Sequence, residues 1–153
     1  MPKLPINYEN ACIYKIVCKD VNITEKYVGS TTNLIQRRRE HKSSCNNEKS
    51  KQYNQYVYQF IRKNGSFDNW VVVLVEKVID CKDKENLHKQ ERHYIESLKA
   101  ELNKAIPTRT FKEWYEDNKE HLKEQSKEYQ KNNKHKIAVK KKEYYEKNKL
   151  KPV

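Results

Sequence analysis

The clearest alternation of apolar and polar positions lies in the first hundred residues. Ala11 to Cys18, read ACIYKIVC, is a β-rich run. Polar residues 19–25 follow, and then Lys26-Tyr27-Val28-Gly29. So short a connection predicts an antiparallel hairpin. Asn33 is placed to cap a helix that begins Leu34-Ile35-Gln36 and runs to Ser44. Tyr53, Tyr56, Val57, Phe60 and Ile61 recur at i, i+3, i+4, i+7 and i+8, which predicts a second helix. Asn64-Gly65 supplies its stop, because glycine takes positive φ without penalty. Trp70 to Val75 is an unbroken apolar run, too short for a helix, and predicts a central strand covered on both faces. A third helix is expected from about Asp83 to about Lys99, with an apolar stripe at Leu87, Tyr94, Ile95 and Leu98. The class is mixed α and β.

Three positions break this pattern. Glu91 falls on the stripe of the third helix, four residues after Leu87 and seven before Leu98. It either sits at the stripe's edge with its carboxylate in water, or it is a carboxylate kept for pairing or metal binding. The helix from Asn33 carries no apolar residue between Ile35 and Cys45 and reads Arg37-Arg38-Arg39-Glu40-His41-Lys42 instead. Arg37 and His41 share a face. The run is either a solvated basic surface or a set of cations offered to phosphate, which the planar fork of Arg suits. The chain has only two glycines. Gly65 is accounted for by the helix stop. Gly29 ends a strand in Tyr27-Val28-Gly29-Ser30-Thr31, where glycine marks a bulge or a close backbone approach.

Composition narrows the classes. Hydrophobic residues make up 35% of the 153, even with 11 tyrosines included, against about 45–50% apolar in an ordinary globular domain. Some stretch must therefore be nearly coreless. No run approaches the 18 or so apolar residues of a membrane span, and the N-terminal MPKLPINYEN has no apolar signal region. Cys12, Cys18, Cys45 and Cys81 include no C-x-x-C pair. They read as small hydrophobes in an intracellular, reducing compartment rather than zinc ligands or a disulfide framework. The net charge of +12 points to a polyanion, nucleic acid before membrane.

The charge also divides the chain. Residues 1–103 carry a net +5 and residues 104–153 a net +7. With Pro107 near the divide, the expected domains are 1–107 and 108–153. The second part repeats itself at an offset of 15 residues. Lys112-Glu113-Trp114-Tyr115-Glu116-Asp117-Asn118-Lys119 returns as 127–134 and again as 142–149. Fifteen residues are close to four helical turns. Glu116, Glu120, Glu124 and Glu128 each precede a lysine by three, which supports an exposed helix. Tyr115, Leu122 and Tyr129 give one large residue per heptad, too few for a coiled-coil seam. The stretch 129–142 holds six lysines and no acid. It is either a solvated helix or an arm whose Lys131, Lys134, Lys136, Lys140, Lys141 and Lys142 follow DNA phosphates. The tail lacks the continuous apolar face of a membrane-surface helix, so no membrane partner is expected.

Cys12-Ile13-Tyr14, then Tyr27-Val28-Gly29-Ser30-Thr31, Arg37, His41, Glu91 and Asn103 together resemble the GIY-YIG nucleases in order and spacing over about residues 11–105. Cys12 and Val28 stand where the family motifs have Gly and Ile, and Lys51-Gln52-Tyr53 occupies the region where some members carry a further histidine. The resemblance implies an α+β fold, a small three-stranded antiparallel sheet flanked by helices, here followed by a charged, largely helical extension. It implies a metal-dependent DNA endonuclease with one Mg²⁺ or Mn²⁺ per site and no small-molecule cofactor. By the same resemblance Glu91 is the metal carboxylate, Arg37 the phosphate-stabilising cation, and Tyr27 the group that takes a proton from water. Tyr14 orients the site, His41 relays a proton or orients Tyr27, and Asn103 holds a loop or a water near the metal. Arg38, Arg39 and Lys42 are then expected to face DNA. A non-catalytic DNA-binding protein on the same fold is the alternative, and the complete set of Tyr27, Arg37 and Glu91 argues for the enzyme. A monomer is expected. The Lys, Asn, Ile and Tyr bias suits an AT-rich viral or mobile-element genome.

Overall fold

The computed structural model describes residues 5–149. The first four residues of the stretch read for a signal region therefore lie outside the described residues. The chain divides into two compact units, one ending at Thr108 and one beginning at Arg109.

In the first unit, β1 (Cys12–Cys18) and β2 (Lys26–Thr31) form the expected antiparallel hairpin. β3 (Trp70–Lys77) pairs with the other edge of β1, so the strand order is β2-β1-β3. Helices α1 (Leu34–Asn46) and α2 (Tyr56–Lys63) precede β3, and α3 (Lys84–Ser97) follows it. This is the three-stranded antiparallel α+β architecture.

The strand covered on both faces is β1, not β3. Tyr14 and Ile16 point into a core with Cys45, Val57, Tyr58, Ile61, Phe67, Trp70 and Leu102. Ile13 points the other way, into a core with Val28, Leu87, Ile95 and Ala100. β3 is an edge strand on which Val73 and Leu74 are exposed. An unbroken apolar run reports β propensity but not the strand's place in the sheet. A register shift between β1 and β3 falls at Ile13/Tyr14, so a bulge adjoins Tyr14.

The helices also differ from the periodic reading. Tyr53 lies in a turn before α2, its ring under the Arg62 guanidinium at 3.6 Å. The buried face of α2 is Val57, Tyr58 and Ile61, while Tyr56 stays exposed. α1 buries His41, Ser44 and Cys45, so it is anchored largely through polar side chains. Asn33 caps α1 by accepting from the Gln36 amide, and Asp83 caps α3 by accepting from that of Asn86. α3 ends at Ser97, two residues early, because Lys99 takes positive φ at 49°. Gly65 has φ of 90° and ends α2 as expected.

The second unit comprises α4 (Phe111–Asn132) and α5 (Lys134–Lys149). Thr110 and Glu113 form a capping box at the start of α4. No described residue of this unit is fully buried.

Candidate active site

Cross-strand pairing places Tyr14 opposite Gly29 and Ile16 opposite Tyr27. Both tyrosines therefore stand on one face of the sheet, with ring centroids 6.5 Å apart. Gly29 has an ordinary negative φ, so its role is spatial. A Cβ there would lie 2.5 Å from the Tyr14 hydroxyl and 3.0 Å from the Tyr27 ring. Only a residue without a side chain lets the Tyr14 phenol cross β2 at that point.

α1 brings Arg37 and His41 to the same face. Arg37 Nε donates to the Tyr14 hydroxyl at 3.1 Å, and its Nη1 donates to Glu40 at 3.1 Å. His41 is 1% exposed. Its Nε2 lies 2.7 Å from the Tyr14 hydroxyl and its Nδ1 lies 2.8 Å from the Tyr58 hydroxyl. A neutral imidazole accepts at one nitrogen and donates at the other. The ring therefore ties the hydrogen-bond directions of the two phenols together. Burial, seconded by the Arg37 charge, pushes the His41 pKa down to about 3. The imidazole is neutral at physiological pH. Its hydrogen bonds go to Tyr14 and Tyr58; Tyr27 meets it only edge to face, with centroids 5.6 Å apart.

Glu91 on α3 is partly buried and accepts from the Ser30 hydroxyl at 2.6 Å. It thus lies neither in the core nor free in water. Burial raises its pKa, against the lowering effect of the Ser30 hydrogen bond. Burial first, and then the Glu91 charge, push Tyr27 up to about 12, while Arg37 works the other way. The Asn103 amide has both its polar atoms on the backbone of one residue, Val28. Oδ1 accepts from the Val28 N–H at 2.8 Å, and Nδ2 donates to the Val28 carbonyl at 2.7 Å. Leu102 N–H adds a bond to the Lys26 carbonyl at 3.1 Å. Asn103 therefore acts as a clamp on the outer edge of β2, with each of its polar atoms bonded to the strand.

These side chains meet in one cleft of about 370 Å³, lined by Tyr27, Arg37, Tyr56, Tyr58, Glu91, Asn103 and Lys104 among others. Tyr14 and His41 stand behind it in the core. Arg39 lines a separate, more open hollow beside Arg37, Arg38 is exposed, and Lys42 pairs with Asp68 at 2.7 Å. The six tail lysines are exposed residues of the second unit. Sequence reasoning missed Tyr58 and Ser30. Tyr58 had a signal, since it shares a face with Ile61 three residues on. Ser30 had none, because its partner lies 61 positions away.

No group of three or more His, Cys, Asp or Glu among the described residues could hold a metal. A single carboxylate that opens into a cleft, steadied by a hydroxyl, suits Mg²⁺, which keeps most of its waters and takes only one or two protein carboxylates.

A family model described as the GIY-YIG catalytic domain matches residues 10–105. No curated protein and no solved structure matches the chain.

Proposed function

The chain belongs to the GIY-YIG nucleases, a family of endonucleases that generally use divalent metals, and from that membership we propose that it hydrolyses DNA phosphodiester bonds with one divalent cation held at Glu91. The observation that carries this reading is the convergence of Tyr27, Arg37 and Glu91, from β2, α1 and α3, on one cleft. Mg²⁺ or Mn²⁺, when bound, supplies Lewis-acid polarisation of the phosphate and of the leaving oxygen.

The side chains do the rest. Arg37 donates toward the phosphoryl oxygens, where negative charge develops. Tyr27, once its own proton has passed to solvent and it stands as phenolate, receives the proton of the attacking water. With its pKa at about 12 the phenol is protonated at neutral pH, so it depends on adjacent positive charge to act as a base. Tyr14 accepts from Arg37 and fixes the direction of its guanidinium. His41 and Tyr58 in turn fix Tyr14. Ser30 orients Glu91, and Asn103 holds the strand that carries Tyr27. The basic arm of the second unit, together with Arg38, Arg39 and Lys42 on α1, adds electrostatic grip on the duplex.

Plasmid nicking with Mg²⁺ or Mn²⁺ tests the assignment. Glu91→Gln and Arg37→Ala are each expected to lower the rate by about 100-fold or more, the usual effect of removing one transition-state contact. Chelation of the metal should abolish activity. Nicking that survives both substitutions removes the assigned site.

A further inference from the structure

Beyond the residues already given a role, the cleft wall carries a cation, Lys104, that has no acidic partner among the described residues. Lys104 directly follows Asn103, whose side chain clamps the edge of β2. Its ammonium sits 4.1 Å above the centroid of the Tyr56 ring. It forms no ion pair among the described residues, whereas Lys26, Lys42 and Lys89 all do. Tyr56 is itself braced from behind. Its ring meets Phe60 at 6.3 Å, and Phe60 meets the buried Trp70 at 6.0 Å. A lysine on a flexible stem is ordinarily a mobile, strongly hydrated charge. Here an aromatic face holds it over the same cleft as Arg37 and Glu91, with Gln52 and Gln55 alongside.

We propose that Lys104, held by the ring of Tyr56, is a subsite for a DNA phosphate flanking the one that is cleaved. This rests on the nuclease reading of the cleft. A point charge suits the task, because a flanking phosphate keeps the same charge throughout the reaction. It needs grip in the ground state rather than the bidentate, transition-state contact that Arg37 offers. The contact should therefore appear in binding and in KM, with little effect on kcat. The subsite would set where the strand lies relative to Glu91.

The experiment uses the full chain and a short DNA duplex. Binding is measured with a chelator present, across a range of salt, and steady-state nicking with Mg²⁺. Lys104→Ala is expected to weaken binding and raise KM by about 5- to 10-fold. It should also flatten the slope of log K against log salt by about 0.9, the value of one phosphate contact. Lys104→Arg should restore most of the slope. Tyr56→Leu should reproduce part of the defect, and adding it to Lys104→Ala should cost less than the two losses multiplied. A folded Lys104→Ala protein with unchanged slope and unchanged KM overturns the subsite and leaves the nuclease reading standing. A wild-type chain that neither binds nor nicks duplex DNA overturns the nuclease reading and this subsite with it.

Discussion

His41 shows how a residue can be plain in a sequence while its partners are not. Its position one turn after Arg37 marked it, and relaying a proton or orienting Tyr27 was the expected task. The ring instead lies between the hydroxyls of Tyr14 and Tyr58, wholly inside the core. Burial holds its pKa at about 3 in the folded chain, against about 6.5 in an unfolded one. The unfolded state therefore takes up a proton below pH 6.5 that the folded state refuses. His41 contributes its full stability above that pH, and the contribution falls by up to about 1.4 kcal/mol per pH unit as pH drops from 6.5 toward 3. NMR of the imidazole should show a neutral ring throughout pH 5–8. An imidazole titrating near 6.5 would refute this placement. Tyr58→Phe removes the partner of Nδ1 and should cost about 1–3 kcal/mol, since it strands a buried polar atom. It should also lower the nicking rate, as Tyr14 loses its orientation. Loss of stability without loss of rate would confine Tyr58 to a packing role.

At the scale of elements, what the sequence revealed followed local rules, and what it hid depended on distant partners. The β1–β2 hairpin, the cap at Asn33, the start of α3 near Asp83 and the stop at Gly65 were legible because each depends on a few neighbouring residues. The rotation of α2 that buries Tyr58 was not, since aromatic residues at 53, 56, 58 and 60 mark several faces at once. Nor was the exposed position of β3, which is fixed only when β1 takes the centre. Asn103 lies between the two cases. Its motif position singled it out, but its contact with Val28, 75 residues earlier, exists only in the fold. The amide completes the free edge of β2 as a neighbouring strand would. Asn103→Ala should leave the Val28 N–H and carbonyl unpaired, at about 1–3 kcal/mol for each buried group. The Val28 amide should then exchange hydrogen much faster. Asn103→Asp keeps the acceptor and loses the donor, so its stability should fall between the two. If the Val28 amide exchanges at the wild-type rate in Asn103→Ala, something other than this side chain secures the edge.

For the whole molecule, the apolar deficit belongs largely to the second unit, whereas the charge of +12 is shared, +5 over residues 1–103 and +7 over residues 104–153. The first unit builds two small cores on the faces of β1, while the described residues of the second unit bury no side chain fully. Helices in proteins draw most of their stability from packing, so with no described side chain fully buried α4 and α5 lean on local devices. The Thr110–Glu113 capping box and the Glu116–Lys119 and Glu120–Lys123 pairs are of that kind, and exposed pairs contribute only about 0.2–1 kcal/mol each. The 15-residue repeat was legible; the break between α4 and α5 was not. Asn118 and Asn133 occupy equivalent repeat positions, and each donates to the carbonyl four residues back. Only at 133 does a second asparagine, Asn132, precede it, and there the helix stops. Stability alone gives no reason for six lysines without an acid in this stretch, whereas a polyanion does. Replacing Lys131, Lys134, Lys136, Lys140, Lys141 and Lys142 with Gln in the full chain separates the two readings. If the arm follows DNA, affinity should fall and the slope of log K against log salt should flatten by about 0.9 for each lysine that touches phosphate. The melting of the first unit should not move, since its cores contain none of these residues. An unchanged affinity with an unchanged slope would leave the arm as a solvated helix and return all DNA recognition to the cleft and α1.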